Sequence, residues 1–291
     1  EKAIKEGGKA AEESGSKFEG FGKVLKTVGV ALGAVAVAAG AAAVKLGKEV
    51  IAAYADYEQL VGGVDTLFKD SSQEIQRYAA NAYKTAGLSA NEYMETVTGF
   101  SASLIQSLGG DTEKAAKYAD MAITDMSDNA NKMGTDMSSI QNAYQGFAKQ
   151  NYTMLDNLKL GYGGTKQEME RLLADAEKIS GVKYDISSYA DVVEAIHVMQ
   201  ESMDIAGTTA KEAEATISGS VNALKSAVSN LIVGFGDADA DMELLCNNMV
   251  DAFKTVVANI TPVIENIVAA LPTALDALLT AVGELLPTLL E

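Results

Sequence analysis

The sequence has very few of the residues that build catalytic and metal sites. Among its 291 residues there is no Trp, one His, one Cys and three Pro. The single cysteine, Cys246, excludes an internal disulfide. One cysteine and one histidine also fall short of the ligand set of a zinc site. We therefore expect neither a disulfide framework nor a zinc centre.

Basic residues are scarce as well. The formal net charge is -17, divided as +3 over residues 1–48, -7 over residues 49–150 and -13 over residues 151–291. Nucleic-acid binding depends on Lys and Arg that neutralise phosphates, and most of this chain has the opposite sign. The charge excludes specific nucleic-acid binding as the primary activity. An acidic surface would instead let DNA pass without adhering to it.

The two chemically versatile side chains lie in helical, apolar surroundings. His197, within "EAIHVMQ", is predicted to be partly buried and structural. Cys246, within "LLCNNM", is predicted to be a small core residue. The sequence contains no recognisable catalytic constellation, and we expect no enzyme.

Two local motifs resemble ligand loops but lack essential positions. The segment "LKLGYGGT" at residues 158–165 looks like a phosphate loop but has no preceding strand and no Gly-Lys-Ser/Thr. It predicts a tight connection with positive φ at Gly161, Gly163 and Gly164. The segment "GDADADMELL" lacks the sixth-position Gly and twelfth-position Glu of a calcium loop, and predicts a solvated helix start. We expect no metal and no cofactor.

Helix-forming residues fill the chain, and no run of alternating strand residues occurs. The pattern predicts an all-α fold of multiple helices. Capping boxes, in which a Ser or Thr and a Glu three residues later satisfy free amides, are predicted at four places: Ser71 with Glu74, Ser89 with Glu92, Thr165 with Glu168, and Thr209 with Glu212. The predicted helices are 47–69, 72–86, 90–108, 112–131, 136–150, 166–180, 188–205, 209–234, 240–260 and 263–290.

Eleven methionines are distributed along the chain. Core filling is the default interpretation, and a plastic partner-binding surface is the alternative. The ones of most interest are Met121, Met126, Met133 and Met137.

The charge and apolar patterns divide the chain into four parts. These are a basic and polar lead at 1–27, an apolar Ala/Gly/Val helix at 28–47, a helical domain at 48–236, and an amphipathic apolar helical segment at 237–291. The chain starts at Glu1 and its last helical pattern stops abruptly, so we expect a fragment of a longer protein.

The apolar stretch "VGVALGAVAVAAGAAAV" at residues 28–44 has three possible explanations. Its length is just enough for a membrane span, yet Ala, Gly and Val give it little drive to enter lipid. Small residues recur every fourth position, which favours close helix packing. This packing seam comprises Gly29, Gly33, Ala36 and Gly40. A packing helix in an assembly, a membrane-entering segment and a flexible linker remain open.

The last segment carries a long apolar stripe on one helical face, with acidic residues on the other. We expect each proline there, Pro262, Pro272 and Pro287, to start or kink a helical turn. Such a helix needs a partner copy or a bilayer surface. The stripe comprises Ile260, Ile264, Ile267, Leu271, Leu275, Leu278, Val282, Leu285 and Leu289.

Several blocks resemble tape measure proteins of siphophages and prophages of Gram-positive bacteria. The resemblance rests on "GAAAVKLGKEVIAAYADYEQLVGGV", "YAANAYKTAGLSANEYMETVTGFSASLIQSLGGD" and "ADMAITDMSDNANKMGTDMSSIQNAYQGFAKQNYTMLDNLKLGYGGTKQEMERLLADAEKISG". It covers residues 20–290 and is strongest over 75–235. Members of that family are normally far longer than this chain.

The resemblance implies a helical, coiled-coil-rich structural protein held in several copies in the tail tube lumen. It would set tail length during assembly and be expelled ahead of the DNA. Its partners would be other copies, tail tube and tail tip proteins and tail assembly chaperones, with a host membrane after ejection. It would reside in the virion tail, and in the host cytoplasm during assembly. The alternative is a membrane-active, pore-forming helical protein that stores segments 28–44 and 260–290 before insertion.

Overall fold

The described part of the chain consists of α-helices joined by short turns. A computed structural model describes the backbone of residues 39–289 and the side chains of residues 48–270. No strand occurs among those residues, and the all-α expectation is confirmed. The chain divides into two units, Glu1–Lys48 and Glu49–Glu291, and all side-chain packing below belongs to the second.

The helices follow in chain order, with one-turn 3₁₀ helices at Lys69–Ser71 and Leu155–Leu158. They are α1 (Ala39–Phe68), α2 (Ser72–Thr85), α3 (Ala90–Thr98), α4 (Ser101–Ser107), α5 (Thr112–Met133), α6 (Met137–Phe147), α7 (Lys166–Ser180), α8 (Tyr189–Ser202), α9 (Thr208–Ala215), α10 (Ile217–Gly234) and α11 (Met242–Leu289).

Helix α5 lies at the centre of the second unit and packs against α2, α3, α4, α6, α8 and α9. Asp111 caps its start by accepting the Lys114 N–H, and Gly134 in the left-handed conformation ends it. Alanines on its buried side let neighbouring helices approach closely. The main core around α5 also buries Tyr93, Tyr144 and Leu104 fully.

A second, smaller core joins α11 to α10 and α2. It is built around Tyr83, Leu231 and Met249. Met249, Ala252 and Val256 are all buried, and their spacing of three and four residues puts them on one face of α11. Further along α11, the Asn259 amide donates to the carbonyl oxygens of Glu214 and Thr216 at 3.2 and 3.0 Å. These hydrogen bonds join α11 to the junction of α9 and α10.

Two hydrogen bonds connect α10 to the start of α3 across a long stretch of sequence. The Asn230 carboxamide oxygen accepts the Ala90 N–H at 2.7 Å, and the Ser226 hydroxyl donates to the Gly87 carbonyl at 2.9 Å. Ala90 is the first residue of α3, so its N–H has no partner within the helix. A residue 140 positions later therefore completes the cap of α3.

Only some of the predicted capping boxes form. Ser89 and Glu92 make the reciprocal pair. Thr165 caps α7 by accepting the Glu168 N–H, but the Glu168 carboxylate accepts the Gly163 N–H instead of the Thr165 N–H, so only half of that box forms. The Ser71 prediction is wrong, because the Ser71 hydroxyl bonds instead to the Thr112 hydroxyl at 3.0 Å. Because the Ser71 hydroxyl bonds to a residue distant in sequence, it does not cap the helix that follows it.

The fourth predicted capping box is also wrong. Helix α9 begins at Thr208, with Gly207 in the left-handed conformation as its N-cap, so Thr209 already lies within the helix. A side chain from α5 caps this helix in place of the Thr209 hydroxyl, as described below.

Three predicted helix boundaries are corrected. The predicted helix 90–108 breaks at Gly99 and Phe100, and the predicted helix 209–234 breaks at Thr216, whose extended backbone caps α10. Conversely, the predicted helices 240–260 and 263–290 form one helix of 48 residues that runs through all three prolines. A proline removes only one helical hydrogen bond, and the Ala- and Leu-rich flanks restore the pattern on either side.

Candidate functional site

The polar centre of the fold lies on α5. All residues from Asp125 to Asn129 are buried, which means that protein surrounds the helix at this turn. Four of the five are polar: Asp125, Ser127, Asp128 and Asn129. Buried polar groups are costly unless they are hydrogen-bonded, so the partners of these side chains decide what the centre does.

The buried carboxylate of Asp125 pairs with the only histidine in the sequence, His197, which is partly buried. The Asp125 side chain is 1% exposed, and both carboxylate oxygens lie at hydrogen-bond distance from His197 Nδ1, 2.9 and 3.0 Å away. Burial raises the pKa of Asp125 to about 6, and the hydrogen bond with His197 opposes that rise. The same hydrogen bond is the main cause of a raised His197 pKa. The pair joins α5 to α8.

Asp128, on α5, caps helix α9, which lies far from it in sequence. Its two oxygens accept the backbone N–H groups of Gly207 and Thr209 at 2.5 and 2.7 Å. The first N–H groups of a helix have no internal acceptor and carry positive partial charge, so a buried carboxylate is stabilised there. Asp128 therefore replaces the local cap that the sequence predicts at Thr209.

Asn129 ties α5 to the following turn. Its amide donates to the Leu158 carbonyl at 2.9 Å. Together with Asp125 and Asp128 it joins one turn of α5 to three separate segments. This turn of α5 fixes the arrangement of α8, α9 and the Leu155–Leu158 turn.

Three further buried polar side chains lie in the main core without a hydrogen bond to protein. They are the hydroxyls of Tyr144 and Tyr189 and the amide of Gln200. Burial, with a contribution from the Asp125 charge, raises the pKa of Tyr144 well above its usual value. Tyr144 and Gln200 lie close together, yet without hydrogen-bond geometry. Burial also raises the pKa of Tyr189, so both phenols stay neutral at ordinary pH.

The Asp125–His197 pair has part of the arrangement of a general base. Asp125 holds His197 Nδ1, and Nε2 lies 3.5 Å from a carboxylate oxygen of Glu201. A nucleophile beside Nε2 would be needed for catalysis, and Cys246 belongs to the second core instead. Among the described side chains, no three His, Cys, Asp or Glu residues are grouped so that they could hold a metal. The structure places His197 in the partly buried position that the sequence predicts.

The predicted apolar stripe is only partly covered. Every described side chain from Thr261 to Ala270 is exposed. Ile264, Ile267 and Val268 are 50%, 58% and 65% exposed, whereas Ile260 is half-buried. These three side chains, with Val263, form what we call the free α11 face. Beyond Ala270 the stripe residues lie on the same helix, outside the described side chains.

The predicted packing seam falls outside the described side chains. Gly29, Gly33 and Ala36 precede the described residues, and Gly40 is described only by its backbone in α1. No α-helix in the described part of the chain is long and apolar enough to cross a membrane.

The loop predictions are half right. Gly161 has a φ of 85°, as expected, but Gly163 and Gly164 do not have positive φ, and the left-handed residue is Lys159 instead. Gly164 is required for space, because a Cβ there would collide with the Thr153 carbonyl. Asp241 begins α11 by accepting the Leu244 N–H, which confirms the predicted helix start.

The four methionines of most interest contact the main core, as core filling predicts. Met126 is buried in the main core, and Met121, Met133 and Met137 pack against it. Cys246 is half-buried and packs against the second core.

Sequence reasoning did not single out Asp125, Asp128 or Asn129. The available signal is the run "TDMSDNAN", which places acids and amides inside a helix whose flanking turns are rich in alanine. On a solvated helix such a run is ordinary. Only tertiary packing shows that it is buried.

Comparisons with known proteins do not identify the chain. No protein-family model matches it, and neither does any curated protein or solved structure.

Proposed function

We propose that the chain is a structural protein of a phage tail, similar to tape measure proteins. Several copies would lie in the tail tube lumen, act in tail assembly and length determination, and be expelled ahead of the DNA. Its partners would be other copies, tube and tip proteins and tail assembly chaperones. The proposed role requires no catalysis.

The observation that best supports this proposal is helix α11. Its 48 residues would extend about 72 Å as one helix, and side-chain packing ends near Asn259. Further along, the free α11 face exposes large aliphatic side chains to water. A long helix with an uncovered apolar face suits a bundle of copies along the axis of a tube.

Tail length tests the proposal directly. In the encoding phage, tandem duplication of residues 261–289 adds 29 residues, close to a whole number of helical turns, so the apolar face stays in phase. We expect tails about 44 Å longer on average by electron microscopy. A Gly/Ser insertion of equal length at the same point is the matched control, and it should give no defined increase.

Two results would refute the role. One is the absence of the chain from purified virions by mass spectrometry. The other is an unchanged tail length in virions that carry the duplicated helix.

A further inference from the structure

A small apolar cleft lies where α1, α2 and α3 meet the end of α10 and the start of α11. Its volume is about 170 Å³, and its walls include Tyr57, Met94 and Leu245. Pockets for drug-sized ligands are larger, about 300–1,000 Å³. A cleft of this size instead fits one large side chain of a protein partner, which is how many interfaces take up an anchor residue.

Large apolar side chains beside the cleft are exposed to water. Leu244, in the cleft wall, is 53% exposed, and Phe235, next to the cleft, is 54% exposed. On α1, Ile51 is 72% exposed and lies one turn before Tyr54, which packs against Gly236. The cleft, with Ile51, Phe235 and Leu244, forms what we call the α10-end surface. Contiguous exposed apolar surface of this kind favours a protein partner.

The cleft is bordered by acidic residues, and no basic residue lines it. Asp237 and Asp241 are part of its lining, and Glu58 and Asp239 lie within electrostatic range of Tyr54 beside it. Within the described residues, none of these four carboxylates forms an ion pair. The complementary partner therefore carries positive charge around an apolar anchor, because an acidic partner would be repelled.

We propose that the α10-end surface binds residues 17–27 of a second copy of the chain. This segment, "KFEGFGKVLKT", contains three Lys and one Glu, and it belongs to residues 1–48, which carry a net charge of +3. Phe18, Phe21 and Leu25 recur at spacings of three and four, so they would share one face of a helix. A phenylalanine fills the cleft, and the lysines meet the surrounding carboxylates. Residues 17–27 themselves lie outside the described part of the chain.

The other exposed apolar part of the chain does not suit this surface. Residues 261–289 carry three acidic residues and no basic one, so they would bring like charges to the cleft. The contact rests on the association of copies that the proposed function includes, and it is separate from the free α11 face.

The experiment places a photo-crosslinker on the α10-end surface of the full chain. The crosslinker p-benzoylphenylalanine replaces Phe235, whose exposure lets the fold tolerate the change. An equal mixture of isotope-labelled and unlabelled chain is irradiated, and mass spectrometry identifies the crosslinked peptides. We expect crosslinks from position 235 to residues 17–27 that join a labelled chain to an unlabelled one. The same replacement at Ile179, which is equally exposed but lies on α7, is the control and should give none of them.

A charge exchange tests the chemistry of the contact. Lys23→Glu with Lys26→Glu puts acid on the segment, and Glu58→Lys with Asp239→Lys puts base on the surface. Each double variant alone should lower the crosslink yield about tenfold, because like charges then face each other. Mixing the two variants pairs opposite charges again and should restore the yield. Damage to the fold of either variant would not be repaired by mixing.

Several results would overturn the proposal. The absence of crosslinks to residues 17–27 removes the segment, and crosslinks to residues 261–289 would assign the surface to α11 of another copy. Crosslinks that never join labelled to unlabelled chain would exclude a second copy. Mixed variants that stay at low yield would exclude charge pairing. Tail length after duplication of residues 261–289 does not depend on position 235, so failure here is distinguishable from failure of the proposed function.

Discussion

At the residue scale, the Asp125–His197 pair couples the stability of the second unit to pH. Both groups have a raised pKa in the folded chain, so both bind a proton more tightly folded than unfolded. The amount that Asp125 adds to the free energy of unfolding is largest below its ordinary pKa of 3.8, and it is lost as pH rises to about 6. The amount that His197 adds to the free energy of unfolding is largest below its ordinary pKa of 6.5, and it is lost as pH rises through the raised pKa. Glu194, Glu201, Asp128 and the neutral Tyr144 also face this pair.

We predict that the pair makes the chain less stable in mild alkali than in mild acid. Asp125→Asn should reduce the loss of unfolding free energy between about pH 5 and about pH 8, because the raised pKa values of both partners disappear together. Urea unfolding followed by circular dichroism measures this difference. A pH dependence identical to that of the wild type would contradict the prediction.

We also predict that Asp128→Asn destabilises the chain by about 1–3 kcal/mol, because an amide has one acceptor oxygen for two N–H groups and leaves one unpaired. Urea unfolding at a single pH measures the loss. Asp70→Asn removes the same charge at an exposed position and should change little. Equal losses in the two variants would show that charge, and not the cap of α9, is responsible.

At the element scale, α11 has two different parts. Up to Asn259 it is held by the second core and by the Asn259 amide, and from Thr261 to Ala270 it touches little of the described chain. Apolar side chains that remain in water favour association with another copy. Mutations in the first part should therefore change the stability of the single chain, and mutations in the second part should change its self-association.

We predict that Ile264→Lys with Ile267→Lys weakens self-association without changing thermal stability, because these side chains are exposed in the single chain. Sedimentation velocity over a range of concentrations measures association. Asn266→Lys adds the same kind of charge at a polar exposed position and is the control. A wild-type chain that is monomeric at all concentrations would refute this use of the free α11 face.

Local signals predicted the helices well, and tertiary contacts explain the failures. Apolar spacing and the Ser89 cap placed α3, and the Ala-rich spacing placed α5. The cap of α9 could not be predicted, because its acceptor, Asp128, lies about 80 residues away in sequence. The polar centre was missed for the same reason, since burial of Asp125 depends on α8. The continuity of α11 was missed because Pro262 suggested a break between two helices.

At the scale of the whole molecule, charge is distributed unevenly. Residues 1–48 carry a net charge of +3, and the remaining 243 residues carry -20. An acidic surface repels both DNA and anionic lipid, so an association with a bilayer would depend on the basic first part and the apolar stretch at 28–44.

We predict that any liposome binding by the full chain requires this stretch. Ala36→Asp with Ala39→Asp should abolish flotation with vesicles, since each charge at the middle of a span costs about 2.5–3.5 kcal/mol. Leakage of a trapped dye is the second measurement. If the variant and the wild type float alike, the stretch is a packing segment only.

The cap of α3 has a consequence for the chain as it leaves the ribosome. Asn230 is synthesised 140 residues after Ala90, the residue whose N–H it accepts. At about 5–20 residues per second, translation needs roughly 7–28 s to cover that distance. During this interval the start of α3 and the surface that α10 will cover face solvent or a chaperone. The nascent chain is therefore most exposed to aggregation and proteolysis before α10 emerges.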